Sequence, residues 1–227
     1  MTREAFDREL GRLQAEVLLL GSMVEDALID SVDVLKRRDL DGARRLVAAD
    51  NAINERRFKI ESDALVLMAT QQPLAGDLRT LAAVLEIVTE LERMGDYAKG
   101  IASICLMMGE QPPLKPMADI PVMAEKVRDM LHMSLDAFVR RDVDLARSIP
   151  PQDDAVDILY NQVYHDLLAL IMANPQIIDQ ATQLLWVAHN LERTADRVTN
   201  ICERVVFTVT GRMEEMDSED LGLESVA

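Results

Sequence analysis

The chain has 227 residues, of which 49% are hydrophobic, 28% charged and 4% aromatic. That is enough apolar material for a sizeable core of aliphatic side chains and Met, and it excludes disorder over most of the length. With 24 basic and 40 acidic residues the formal charge is −16. Nucleic acid as the main partner is therefore disfavoured, and cations, metal ions or basic protein surfaces are favoured.

Apolar residues recur at helical spacing in long proline-free stretches, which predicts six main helices. The first covers about residues 3–37 and the second about 40–70, ending before Pro73. The third, about 74–108, carries the stripe Leu81, Leu85, Val88, Leu91, Met94, Ala98 and Ile101 and stops at Gly109. Gly109 to Pro121, with four prolines, is the natural linker. A fourth helix covers about 119–140, a short helical turn 142–149 precedes Pro150-Pro151, and a fifth helix covers about 152–173. Asn174 before Pro175 reads as an N-cap followed by the first helical position. The sixth helix, about 175–210, carries Leu184, Leu185, Ala188, Leu191, Ala195 and Val198, and Trp186 is expected to pack within it. Gly211 closes it, and the acidic tail from Arg212 is expected to fray. No stretch approaches the roughly 20 apolar residues of a membrane span. Cys105 and Cys202 form neither a disulfide framework nor a zinc pattern, and Met1–Ala5 does not open a signal peptide. The expected location is the cytoplasm, with any inner-membrane association peripheral and through protein partners.

The chain repeats itself. Residues 31–44 (SVDVLKRRDLDGAR) match 134–147 (SLDAFVRRDVDLAR) at eight of fourteen positions, at an offset of 103. Leu91-Glu92-Arg93-Met94-Gly95-Asp96 matches Leu191-Glu192-Arg193-Thr194-Ala195-Asp196 at an offset of 100. Two blocks in the same order on matching helices predict an all-α fold of two tandem three-helix bundles related by a pseudo-twofold repeat. The expected units are residues 1–110 and 119–211, followed by the tail 212–227. The repeated Arg-Arg-Asp segments, Arg37-Arg38-Asp39 and Arg140-Arg141-Asp142, read as a helix end followed by the cap of the next helix.

Glu92 and Asp96 are four residues apart, as are Glu192 and Asp196, so each pair shares one helix face. They extend an apolar stripe, where a carboxylate needs a cationic partner or a metal ion. The small residue before each Asp, Gly95 or Ala195, leaves room for another backbone or a hydrated ion. A metal centre in each bundle is one reading, with Asp50, Asp153 and Asp77 as further ligands from other helices or turns. All-carboxylate ligation suits Mg, Mn, Ca or Fe, and Zn completes the ions considered as cofactors. Ion pairing with Arg93, Lys99, Arg193 or Arg197 is the other reading. The Glu-x-x-His pattern of ferritin-like proteins is absent, as are a Gly-rich phosphate loop, G-x-S-x-G and H-E-x-x-H, so no catalytic residue is assigned.

These features resemble the PhoU family over most of the chain, from about Ala5 to Gly211. The most specific matches are Gln71-Gln72-Pro73-Leu74-Ala75-Gly76-Asp77-Leu78-Arg79, Glu90–Ala98 and Leu191–Glu203. The second repeat departs from the first at the Gln-Gln-Pro turn, where Asn174-Pro175-Gln176 stands. The family's E/D-x-x-x-D metal motif falls on Glu92/Asp96 and Glu192/Asp196. The resemblance implies a metal-binding, often dimeric protein without established catalysis. It further implies a negative regulator of the phosphate-starvation response that restrains phosphate uptake. Its partners would be the ATPase subunit of a phosphate ABC transporter and a phosphate-sensing histidine kinase. The residues leave open a metal-dependent hydrolase or oxidase, and a scaffold for another phosphate carrier.

Overall fold

A computed structural model describes residues 3–112, 114 and 118–216. The helices are α1 (Arg3–Arg37), α2 (Leu40–Gln71), α3 (Ala75–Met108), α4 (Asp119–Arg140), the short α5 (Val143–Ser148), α6 (Asp153–Ala173) and α7 (Ile178–Thr210). Single 3-10 turns at Pro150–Gln152 and Pro175–Ile177 lead into α6 and α7. The expected helices are all present, within a few residues.

The repeat is visible in the caps. Arg38 and Arg141 both adopt φ 56°, in the left-handed region, and so end α1 and α4. The following Asp39 and Asp142 each accept a backbone N–H at the start of the next helix, from Gly42 at 2.8 Å and Leu145 at 3.0 Å. This geometry suits a short acidic side chain, which satisfies one of the orphaned donors of a first turn. Ser31 and Ser134, both fully buried, each return their hydroxyl at 2.7 Å to the carbonyl three residues back. Gly109 and Gly211 take positive φ at the ends of α3 and α7, where a side chain would be strained.

Within the first bundle α1 and α3 run parallel, with α2 antiparallel to both, as pairs such as Val34–Cys105 and Glu16–Arg56 require. The second bundle, α4, α6 and α7, repeats the plan. The bundles share a continuous hydrophobic core, because α3 packs along α7 and α1 along α4. The α3–α7 pairing is antiparallel: Glu86 meets Arg204 at 2.6 Å and Glu90 meets Arg197 at 3.4 Å. On α1, Gly21 lies so close to α4 that a Cβ there would meet the Leu135 side chain at 2.1 Å. Any larger residue would force the Leu135 side chain to move.

Both cysteines are buried, and burial pushes the Cys202 thiol up to about 12. Trp186 is not packed inside: it is 58% exposed on α7, opposite the stripe that buries Leu184, Ala188 and Leu191. Residues 212–216, which sequence reading assigns to a frayed tail, fold back instead. Glu214 pairs with Arg147 at 2.8 Å, and the Met216 N–H donates to Glu203 at 3.0 Å. The remaining tail, 217–227, lies outside the described residues. Among the described residues no helix is long and apolar enough to cross a membrane.

Candidate functional site: two carboxylate clusters

Each bundle brings the start or middle of its second long helix against the middle of its third. In the first, α2 supplies Asp50 and α3 supplies Glu92 and Asp96. In the second, α6 supplies Asp153 and α7 supplies Glu192 and Asp196. The structure therefore groups Asp50 with Glu92 and Asp96, and Asp153 with Glu192 and Asp196. Asp77 is not part of either group. It lies fifteen residues before Glu92 on α3, about 22 Å along the axis. There it is paired with Arg3, whose hydrogen bond holds the Asp77 carboxyl below its ordinary range.

The first cluster is internally compensated. Asp50 is only 4% exposed, and its Oδ2 accepts from Lys99 Nζ at 2.8 Å and Asn54 Nδ2 at 3.1 Å. Lys99 also reaches Asp96 at 3.4 Å. Hydrogen bonding and charge from Asp50 raise the Lys99 ammonium above its ordinary value. Glu92 lies 3.5 Å from Arg57, which is itself held by Glu61 at 2.9 Å. Burial raises the Glu92 carboxyl, Arg57 opposes that rise, and Asp96 and Asp50 add to it. Asp50 Oδ1 is left without a hydrogen bond. A Cβ at Gly95 would meet Ile53 of α2 at 3.1 Å and Asp50 Oδ1 at 3.8 Å, so its small size serves helix packing beside the cluster.

The second cluster is differently composed. Asp153 is 7% exposed and its Oδ1 has no hydrogen bond. Burial, and then the charges of Asp157, Asp196, Glu192 and Asp154, push its carboxyl up to about 7. Asp157 is raised by burial and by Asp196 and Asp154. Glu192 is raised by burial and Asp196 against the opposing charge of His189. Glu192 Oε2 lies 3.2 Å from His189 Nδ1 without forming a hydrogen bond. Arg193 pairs with Asp196 at 2.7 Å. Arg197 pairs with Glu90 of the other bundle at 3.4 Å while also lining this cluster's cleft. Asp153, Asp157, Asp196, Thr199 and Asn200, together with Arg193 and Arg197, line a cleft of about 370 Å3.

Asp157 is a member that sequence reading missed. Its signal was present, because Asp153 and Asp157 are themselves four apart and Asp157 stands 103 residues after Asn54. Among the described residues no three His, Cys, Asp or Glu side chains are gathered into a metal cage. The second cluster nevertheless has the donor chemistry for a hard cation: carboxylate oxygens, an amide, and buried oxygens left unsatisfied. The acids of the first cluster are instead paired with the cationic side chains of Lys99 and Arg57.

Comparison with known proteins covers both bundles. The PhoU domain family matches residues 17–105 and again residues 120–205. A phosphate-specific transport system accessory protein PhoU homolog of Clostridium acetobutylicum is 35% identical over 96% of this chain and its own whole length. The Caulobacter vibrioides protein of the same description is 37% identical, over 96% of this chain and 94% of its own. The crystal structure of PhoU from Pseudomonas aeruginosa superposes with a TM-score of 0.84 at 31% identity, covering 91% of this chain and 100% of that one. The phosphate transport system regulatory protein PhoU from Streptococcus pneumoniae does so at 0.85 and 31%, covering 92% and 99%. With the repeat, the fold and the sequence in agreement along both halves, this chain belongs to the PhoU family.

Proposed function

We propose that this protein is a non-enzymatic accessory of phosphate transport that negatively regulates the phosphate-starvation response and restrains phosphate uptake. The observation that carries the reading is similarity across both repeats to relatives described as phosphate transport accessory or regulatory proteins. It acts in the cytoplasm as an adaptor, at the inner membrane through protein contacts. Its partners are the ATPase subunit of the phosphate transporter and the phosphate-sensing histidine kinase, and it works as a homodimer.

Metal binding belongs to the same proposal. Asp153, Asp157, Glu192 and Asp196 would hold the ion, with Asn200 beside them. A bound divalent or trivalent cation supplies positive charge that offsets the mutual repulsion of these carboxylates. The chain's own residues position the donors: α6 presents Asp153 and Asp157 one turn apart, and α7 presents Glu192 and Asp196 likewise.

The test is deletion of the gene and measurement of alkaline phosphatase expression in phosphate-rich medium. Derepression is expected, with repression restored by the wild-type gene. Normal repression in the deletion strain, with no second copy of the gene present, overturns the regulatory role.

A further inference from the structure

The two clusters sit at equivalent places in the repeat, so their residues can be compared position by position. On α2 and α6 the offset is 103; on α3 and α7 it is 100. The burial pattern supports this register: Asp50, Ile53 and Ile60 are buried on α2, and Asp153, Val156 and Val163 on α6. Three acids are shared: Asp50 with Asp153, Glu92 with Glu192, and Asp96 with Asp196. The surrounding positions differ: Thr89 becomes His189 and Tyr97 becomes Arg197, which adds a base beside Glu192 and one at the rim of the cleft, while the positions around the buried aspartate lose their cations. Lys99 becomes Thr199, and Arg57 becomes Tyr160, which removes both cations. Asn54 becomes Asp157, which adds a carboxylate, and Gly100 becomes Asn200, which adds an amide oxygen.

In the first cluster the ammonium of Lys99 is hydrogen-bonded to the buried Asp50 and paired with Asp96, while Arg57 stands against Glu92. These side-chain cations supply the acids with the positive charge that a metal ion would otherwise supply. In the second cluster four carboxylates, Asp153, Asp157, Glu192 and Asp196, have Arg193, His189 and Arg197 as their neighbouring bases, with Arg197 paired to Glu90, and none of the three is hydrogen-bonded to the buried Asp153. Asp153, whose buried Oδ1 is unpartnered, lines the cleft. A buried carboxylate group of this kind needs a counter-charge.

We infer that the chain carries one metal locus rather than two: Lys99 and Arg57 take the place of a cation in the first repeat, and only the second-repeat cluster binds a divalent metal ion. This rests on the metal-binding part of the proposed function and narrows it to one half of the molecule. It departs from the expectation of one centre per bundle that Glu92 and Asp96 raise.

The experiment uses the full chain, stripped with a chelator and titrated with Mn2+, with bound metal followed by electron paramagnetic resonance and by mass-spectrometric metal analysis. Circular dichroism checks the fold of every variant. Asp153→Asn with Asp157→Asn is expected to weaken Mn2+ binding by about tenfold or more. Glu92→Gln with Asp96→Asn is expected to leave the wild-type titration unchanged. Arg57→Tyr with Lys99→Thr, which gives the first cluster the second's residues, is expected to take up additional Mn2+. Should Glu92→Gln/Asp96→Asn lose as much metal as the second-repeat pair, the single-locus inference fails while metal binding itself stands. If the wild type takes up no Mn2+, Fe2+, Mg2+, Zn2+ or Ca2+, metal binding fails in both repeats, and the inference fails with it. The comparison of the two acid-to-amide pairs decides the matter even if the Arg57→Tyr/Lys99→Thr chain does not fold.

Discussion

Two halves of one chain solve the same electrostatic problem in different ways. In both, a helix register places acids on a face that is mostly apolar, and in both a buried aspartate from the neighbouring helix completes the group. The first half answers with Lys99 and Arg57, and its Asp50 is held by two donors. Each half leaves one oxygen of its buried aspartate unsatisfied, but the second has no Lys99 counterpart at Asp153 and adds Asp157 to the repulsion. Repetition of a backbone therefore does not imply repetition of a site. The spacing of the acids is set by the helix, but what balances them depends on side chains one turn further on or on the adjoining helix.

The largest effect that would sharpen this contrast comes from the cation itself. If the second cluster binds Mn2+, a free concentration one hundred times the dissociation constant stabilises the chain by about 2.7 kcal/mol. Thermal melts with and without Mn2+ should show this gain in the wild type and its loss in Asp153→Asn/Asp157→Asn.

Next in size is a difference of sign. In metal-free protein at pH 8, Asp153→Asn should stabilise by about 1–2 kcal/mol, because it removes a buried charge pressed by other acids. Asp50→Asn should destabilise by about 1–2 kcal/mol, because it removes the acceptor of Lys99; the partial exposure of Lys99 keeps this below the cost of a fully buried pair. Urea denaturation of the two variants measures both. Equal signs would break the contrast.

The same asymmetry has a pH signature. The folded Asp153 carboxyl is raised from 3.8 to about 7, so between these values the native state binds more protons than the unfolded chain. Its contribution is fully present below about pH 4 and is lost as pH rises through about 7. Metal-free wild type should therefore lose stability across that window relative to Asp153→Asn. Parallel curves for the two proteins would remove the electrostatic account of the second cluster.

The smallest test concerns packing next to the acids. Gly95 meets Ile53 in the first half, while Ala195 and Val156 hold the equivalent positions in the second, so one methyl group has changed helices. Gly95→Ala alone should cost about 1 kcal/mol through crowding, and adding Ile53→Val should recover most of it. Denaturation of the single and double variants measures the coupling.

Much of the fold was legible in the sequence because its signals are local. Proline positions, Gly109, Gly211, and the aspartates after each Arg-Arg pair mark helix ends through backbone constraints that need no tertiary context. The acid pairs were legible for the same reason. Arg57 was not, because it meets Glu92 only after α2 and α3 fold against each other, 35 residues apart in the chain. Asp77 was misplaced for the converse reason: it shares a helix with Glu92, but helical rise carries it to the far end, beside Arg3. Trp186, expected to pack within the last long helix, is turned to the surface by its register against Leu184 and Ala188, with its ring 6.0 Å from that of His189.

The burial of Cys105 and Cys202 has a practical consequence for observing the molecule. The thiolate is the reactive form of cysteine, and both native thiols are buried with raised pKa values, Cys202 up to about 12. A single cysteine introduced on the surface, for instance in place of the exposed Met172, would therefore be the first to take a maleimide dye or spin label without any native residue being changed. Distance changes between α6 and a labelled partner could then be followed in the otherwise unaltered chain.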